Sequence, residues 1–229
     1  MKWIVVAFFA STILSVILFR FVPVWITPLM VIRVAEQIKE GKDVKLSHHW
    51  VALEDISPFM PVAVVASEDA NFLHHHGFDF DAIQKAAKRN REHPEKRRLG
   101  ASTISQQTAK NVFLWPGRSW LRKGFEAYFT ILIELTWPKQ RIMEVYLNSI
   151  EMGEGIYGAD AVAHEHFGCS AAELSRSQCA LIAATLPNPR RFSSLNPSGY
   201  MKKRQARIER EMRHVPAFPK RGEDVKNDK

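Results

Sequence analysis

Residues 121–135 read Leu-Arg-Lys-Gly-Phe-Glu-Ala-Tyr-Phe-Thr-Ile-Leu-Ile-Glu-Leu. Leu121, Phe125, Tyr128, Phe129, Leu132 and Leu135 recur mostly at intervals of three and four, which puts their side chains on one face of a helix. The same spacing returns in Ile142, Val145, Tyr146 and Ser149, and again in Leu174, Gln178, Leu181 and Ile182, where Pro187 is the stop. Alternating patterns of the kind a half-buried strand requires are scarce. The expectation is a mainly α fold.

Upstream, Trp3 to Phe19 is an uncharged, mostly apolar run, interrupted by Arg20 and resumed to Ile32. Such a run covers about 25 Å as a helix, and a span extended to Trp25 with Arg20 snorkelling would cross a bilayer core of roughly 30 Å. No small-residue cleavage site follows Phe19, so an uncleaved anchor is expected rather than a signal peptide. Pro23 and Pro28 are expected to end or bend that helix. The division read from the sequence is an anchor over 1–27, a linker with one short helix (Arg33 to Glu40, stopped by Gly41) over 28–50, a catalytic domain over 51–214, and a basic, disordered tail over 215–229.

The chain has 229 residues and a formal charge of +8, with 46% hydrophobic residues, enough for one cored domain and unlike a disordered protein. The excess of basic residues suits anionic lipid, nucleic acid or a phosphate-bearing substrate without choosing among them. The two cysteines, Cys169 and Cys179, cannot form a disulfide framework and read as buried free thiols rather than as one bridge.

Three polar islands interrupt the apolar pattern. Ser67-Glu68-Asp69-Ala70-Asn71-Phe72-Leu73-His74-His75-His76-Gly77 follows the apolar stretch Val62 to Ala66. A carboxylate just beyond a buried run is a candidate for a raised pKa and for general-base work. The three histidines lack the spacing of helical zinc ligands, so no metal is assigned to them. In the second island, Gly100 to Asn111, Ser102 is read as capping a helix whose first turn holds Gln106, slightly out of register for a capping box. Hydroxyls, amides and Lys110 at helical spacing there could hold a phosphate or a sugar. The third, Arg122-Lys123-Gly124-Phe125-Glu126, puts two cations and a carboxylate on one helix face. Gly153-Glu154-Gly155-Ile156-Tyr157-Gly158 matches a dinucleotide fingerprint by letter, but a helical pattern precedes it and a nucleotide site is rejected. Finally, the apolar turn Phe113 to Leu121, with Pro116 and Gly117 at its centre, is expected to dip into a membrane.

Taken together and in order, the islands resemble the peptidoglycan glycosyltransferases, and in particular the monofunctional members with a membrane anchor. The family's first motif is matched by Glu68, Asp69, Phe72, His75 and Gly77; its second by Gly100, Ser102, Thr103, Gln106, Gln107, Lys110 and Asn111; its third by Arg122, Lys123 and Glu126. A fourth is matched by Glu144, Tyr146, Leu147, Asn148, Gly153, Gly155 and Gly158, and a fifth looks like Leu186 to Pro189. The resemblance implies a lysozyme-like, two-lobed helical domain behind one transmembrane helix. It implies polymerisation of lipid II into glycan strands, with inversion from α to β and release of undecaprenyl diphosphate. Glu68 would be the base, and Glu126 would order cations around the diphosphate. Lys110, Arg122 and Lys123 would meet phosphate, and Asp69, Phe72, His75, Ser102, Thr103, Gln106, Gln107 and Asn111 would complete the substrate site. No cofactor is obligatory on this reading, although a divalent cation (Mg or Mn) could stand at the diphosphate. Partners would be lipid II, the growing strand, the membrane and other wall-synthesis proteins, not nucleic acid. The domain would lie on the outer, periplasmic side of the cytoplasmic membrane. No Ser-x-x-Lys with a Lys-Thr-Gly partner occurs, so no transpeptidase activity is expected. The alternatives are a lysozyme-like lytic enzyme, which would lack phosphate-binding cations, and a non-catalytic scaffold for wall assembly.

Overall fold

A computed structural model describes residues 2–96, 98–117 and 119–223. The apolar N-terminal run forms α1, Lys2–Phe21, a 20-residue helix long and apolar enough to cross a membrane. It stops two residues before Pro23. Pro28, expected to end a helix, instead begins α2, Pro28–Lys39, because proline suits the first helical position and Thr27 caps the helix by accepting from the Met30 amide. The helix expected from Arg33 is therefore longer than the sequence suggests.

The rest is mainly α, as the spacing predicts. The apolar run before the first island is α3, Phe59–Glu68, and α4 covers Phe80–Glu92 with Asp79 as its cap. The second island folds into α5, Ile104–Phe113, the quoted stretch into α6, Trp120–Thr136, and the next periodic run into α7, Lys139–Ser149. Helices α8, Ala159–Phe167, α9, Arg176–Thr185, and α10, Gly199–Glu211, complete the chain. Two packing groups emerge: α3, α9 and α10 against one another, and α5 against α6, α7 and α2. One continuous apolar core runs through both except at α2, whose Leu29 and Met30 form a small separate cluster with Tyr157.

A small sheet escaped the sequence reading. Strands β1, Ser47–His48, β2, Glu151–Gly153, and β3, Ile156–Tyr157, lie in the order β1-β3-β2, with β1 parallel and β2 antiparallel to β3. The glycine-rich run is thus a tight hairpin leading into α8. Gly158 sits at φ +86°, and a Cβ there would lie 2.7 Å from the Asn148 carbonyl oxygen, so the position admits glycine alone.

The anchor is not an independent tether. Trp137 Nε1 donates to the Val16 carbonyl at 2.8 Å, and the Arg141 guanidinium donates to the Phe19 carbonyl at 2.8 and 3.1 Å and also to that of Val22. Thr12 and Tyr128 share a hydroxyl hydrogen bond of 2.9 Å. The Arg141 donors satisfy carbonyls at and just beyond the end of α1 that the helix itself leaves open.

The expected disordered tail is corrected over residues 215–223. Phe218 stacks on buried Phe72 at 6.2 Å between ring centroids, Val215 packs on the core, and Gln140 donates to the Glu223 carbonyl at 2.8 Å. Residues 224–229 of that tail lie outside the described residues. Both cysteines are free thiols; Cys179 is buried, and burial pushes its thiol up to about 12.

Candidate active site

Helix α3 is apolar along nearly its whole length and ends on Glu68. The Glu68 side chain is only 14% exposed. Burial pushes its carboxyl above the usual carboxylate range, against the opposing effects of a Gln107 hydrogen bond and the Arg204 charge. Gln107 Nε2 donates to Oε2 at 3.1 Å, and Arg204 Nη2 stands 3.7 Å from Oε1. Tyr146 fixes Gln107 in turn, donating its hydroxyl to Oε1 at 3.2 Å.

Gln107 links Glu68 to a cavity of about 340 Å³ whose lining includes Lys110, Asn111 and Arg122. Lys110 is brought there by α5 and Arg122 by the first turns of α6. Burial lowers the Lys110 ammonium from its ordinary value, while Glu126 pulls the other way. Glu126 is buried and has both oxygens engaged: Oε2 by Arg122 Nη1 at 3.1 Å and Oε1 by the Lys123 ammonium. The charge set of the third island is therefore an ordered triad centred on a buried carboxylate, with Arg122 largely buried and Lys123 exposed.

The remaining motif residues divide by geometry. Asp69 accepts from His75 Nε2 at 3.0 Å and from the Ile104 amide at 2.9 Å, so it ties the first island to the N-terminus of α5. His75 Nδ1 accepts from the Gly77 amide at 3.1 Å, which leaves the proton on Nε2. Phe72 is core, with the Lys139 ammonium 4.6 Å from its ring centroid. Thr103, not Ser102, caps α5: its hydroxyl accepts from the Gln106 amide while Gln106 Oε1 accepts from the Thr103 amide, a capping box in register. Ser102 is exposed. Asp69, Phe72, His75, Thr103 and Gln106 thus build and orient α5, whereas Gln107, Lys110, Asn111 and Arg122 face the cavity.

The sequence reading missed Arg204 at the base. Its signal was present: within the charged helix α10, Arg204 lies three residues after Met201 and four before Ile208, on the face those buried residues define. The reading also assigned α2 to a linker, yet Leu29 and Arg33 of that helix line the cavity, as does Glu151 of β2.

A family model described as Transglycosylase matches residues 34–213. A protein named biosynthetic peptidoglycan transglycosylase from Bacteroides thetaiotaomicron is 62% identical over 216 residues, covering 94% of this chain and 86% of that one. Proteins of the same name from Bdellovibrio bacteriovorus and Caulobacter vibrioides are 57% and 53% identical, covering 96% and 87% of this chain and 87% and 83% of their own lengths. With a family match over residues 34–213 and relatives this similar over most of their length, the chain belongs to the transglycosylase family.

Proposed function

We propose that this transglycosylase polymerises lipid II into peptidoglycan glycan strands on the outer face of the cytoplasmic membrane. The observation that carries the reading is a buried, proton-avid carboxylate, Glu68, joined through Gln107 to a cavity lined by Lys110 and Arg122. Glu68 takes the proton of the 4-hydroxyl of the incoming disaccharide. That oxygen attacks the anomeric carbon of the growing strand from the face opposite the diphosphate, so the linkage inverts from α to β. The bond from the anomeric carbon to the diphosphate oxygen breaks, and undecaprenyl diphosphate leaves with the electron pair. Lys110 and Arg122 meet the charge that develops on it, and fixed cations in a partly dry cavity do so with little reorganisation. Glu126 is a positioning residue, since both of its oxygens already hold cations. A divalent cation at the diphosphate would have to compete with Arg122 and Lys123 for Glu126. The carboxylate that lines the cavity, Glu151, faces Arg33 instead.

A lytic reading is disfavoured by the cations, because glycan cleavage has no phosphate to bind. No transpeptidase activity is assigned. Full-length protein in detergent, supplied with lipid-linked disaccharide, is expected to form polymer and free lipid diphosphate. Glu68→Gln should lose about 10²–10⁴ in rate while staying folded. Near-parental turnover in that variant would remove Glu68 from the mechanism.

A further inference from the structure

Helix α2 was read as part of a linker, and the family match begins only at residue 34. Yet Arg33, on that helix, lines the same cavity as Lys110 of α5 and Arg122 of α6. Among the described residues the cavity therefore gathers three cationic side chains and a single carboxylate, Glu151. Two of these cations carry buried donors that are unpaired among the described residues: Nε of Arg33 and Nε of Arg122 have no hydrogen-bond partner there. Orphaned buried donors are uncommon and costly, and an acceptor arriving in the cavity would relieve them.

The resting partner of Arg33 is a loose one. Its Nη1 reaches Glu36 at 2.6 Å, but its Nε stays 3.6 Å from Glu151, beyond hydrogen-bond range. Glu151 is itself buried, and burial raises its carboxyl above the usual range. Beside these polar groups, Leu29, Leu114, Ile150 and Leu186 give the cavity an apolar side. Only residues 22–27 separate α1 from α2, so this wall lies next to the end of the anchor.

We propose that Arg33 is a third oxyanion ligand of this cavity, binding the diphosphate of a polyprenyl-linked substrate together with Lys110 and Arg122, with Glu151 as the carboxylate that competes for its Nε. The inference rests on the transferase reading and extends its phosphate site to a residue that lies just before the start of the family match. A diphosphate oxygen near Nε replaces the weak contact to Glu151. The apolar residues then take the first isoprene units of the tail.

The test uses full-length protein in detergent, with undecaprenyl diphosphate as the probe and undecaprenol, which lacks phosphate, as its control. Arg33→Ala should weaken undecaprenyl diphosphate binding about tenfold, the effect of one charge-assisted hydrogen bond, and should leave undecaprenol binding unchanged. KM for lipid-linked disaccharide should rise by a similar factor, with kcat within about twofold. Arg33→Lys should recover part of the affinity. Glu151→Gln should bind the diphosphate as tightly as the parent or more tightly, because it removes a carboxylate that lines the cavity beside Arg33 Nε. A merely structural Arg33–Glu151 pair would instead make both single variants weaker together, and that result would overturn the proposal. So would equal losses for undecaprenyl diphosphate and undecaprenol. If the parent polymerises substrate while Arg33→Ala binds the diphosphate normally, the Arg33 assignment falls and the transferase reading stands. If the parent neither polymerises nor binds the diphosphate, the transferase reading falls and this proposal with it.

Discussion

Replacing Arg141 with methionine tests whether the anchor and the catalytic domain form one body. Arg141 is buried, and its Nη1 pairs with Oε2 of buried Glu144 at 2.9 Å. The rest of the guanidinium serves the Phe19 and Val22 carbonyls at the end of α1, and its carbon lies 5.1 Å from the Trp50 ring centroid. In Arg141→Met, the cation left beside Glu144 among the described residues is exposed Arg221, 3.6 Å away. Removing one partner of a buried pair costs about 3–5 kcal/mol, since the other charge stays buried. The stranded carbonyls act in the same direction but are not additive with it, so the lower figure is a safe minimum. At roughly 2–4 °C per kcal/mol for a chain of this size, the thermal midpoint should fall by about 6–20 °C. The assay is thermal unfolding of full-length protein in detergent, followed by near-ultraviolet circular dichroism, with limited proteolysis across residues 22–27 as a local readout. The double variant Arg141→Met with Glu144→Gln leaves no unpaired charge and should recover part of the loss. A midpoint shift below about 2 °C, or a double variant no better than the single one, would refute the claim that this buried pair clamps the anchor.

Polymerisation should fall as pH falls through the Glu68 pKa, with the midpoint above the ordinary glutamate value of about 4.3, and a midpoint at or below that value would remove burial as the control. The stability linkage has the opposite sense: a carboxyl raised in the folded state favours folding at low pH and loses that contribution as pH rises through the folded pKa, so at neutral pH Glu68→Gln should melt no lower than the parent. Gly77→Ala should destabilise by about 1–3 kcal/mol, read as a lower thermal midpoint, because Gly77 sits at φ +89° and a Cβ would lie 2.8 Å from Thr130 Cγ2; an unchanged midpoint would show that the turn relaxes freely. Trp120, 92% exposed, should enter the bilayer, since Phe125 and Tyr128 of the same helix pack on Phe8 and Phe9 of the anchor; Trp120→Ser should weaken liposome association by about tenfold or more without moving the midpoint, and unaltered association would sink the idea.

The apolar turn expected to dip into a membrane shows where sequence reading stops. Its apolar content was legible, but its two ends go different ways. Phe113 stacks face to face on Phe129 at 4.5 Å and Leu114 is core, whereas Trp115, Trp120 and Leu121 remain exposed. Hydrophobicity gives a side chain's preference for leaving water, and only the fold decides whether protein or lipid receives it. The capping error has the same origin. Ser102 and Thr103 are both competent caps, and the choice is made by contacts far away in sequence: Asp69 takes the Ile104 amide, and the Gly77 carbonyl takes the Thr103 hydroxyl. The two-residue strands are too short for any alternation to register. By contrast, the helices and the environment of Glu68 were readable, because each depends on residues within a few turns of one another. A carboxylate at the end of an apolar helix is desolvated by its own neighbours. Its cation Arg204 comes from α10, and Arg33 reaches the cavity from α2, so their places are fixed by packing between helices and not by local pattern. The same division explains the motif residues: sequence shows that His75 and Asp69 have the chemistry to hold a substrate, but the fold turns that chemistry toward α5, where it holds the helix that presents Lys110.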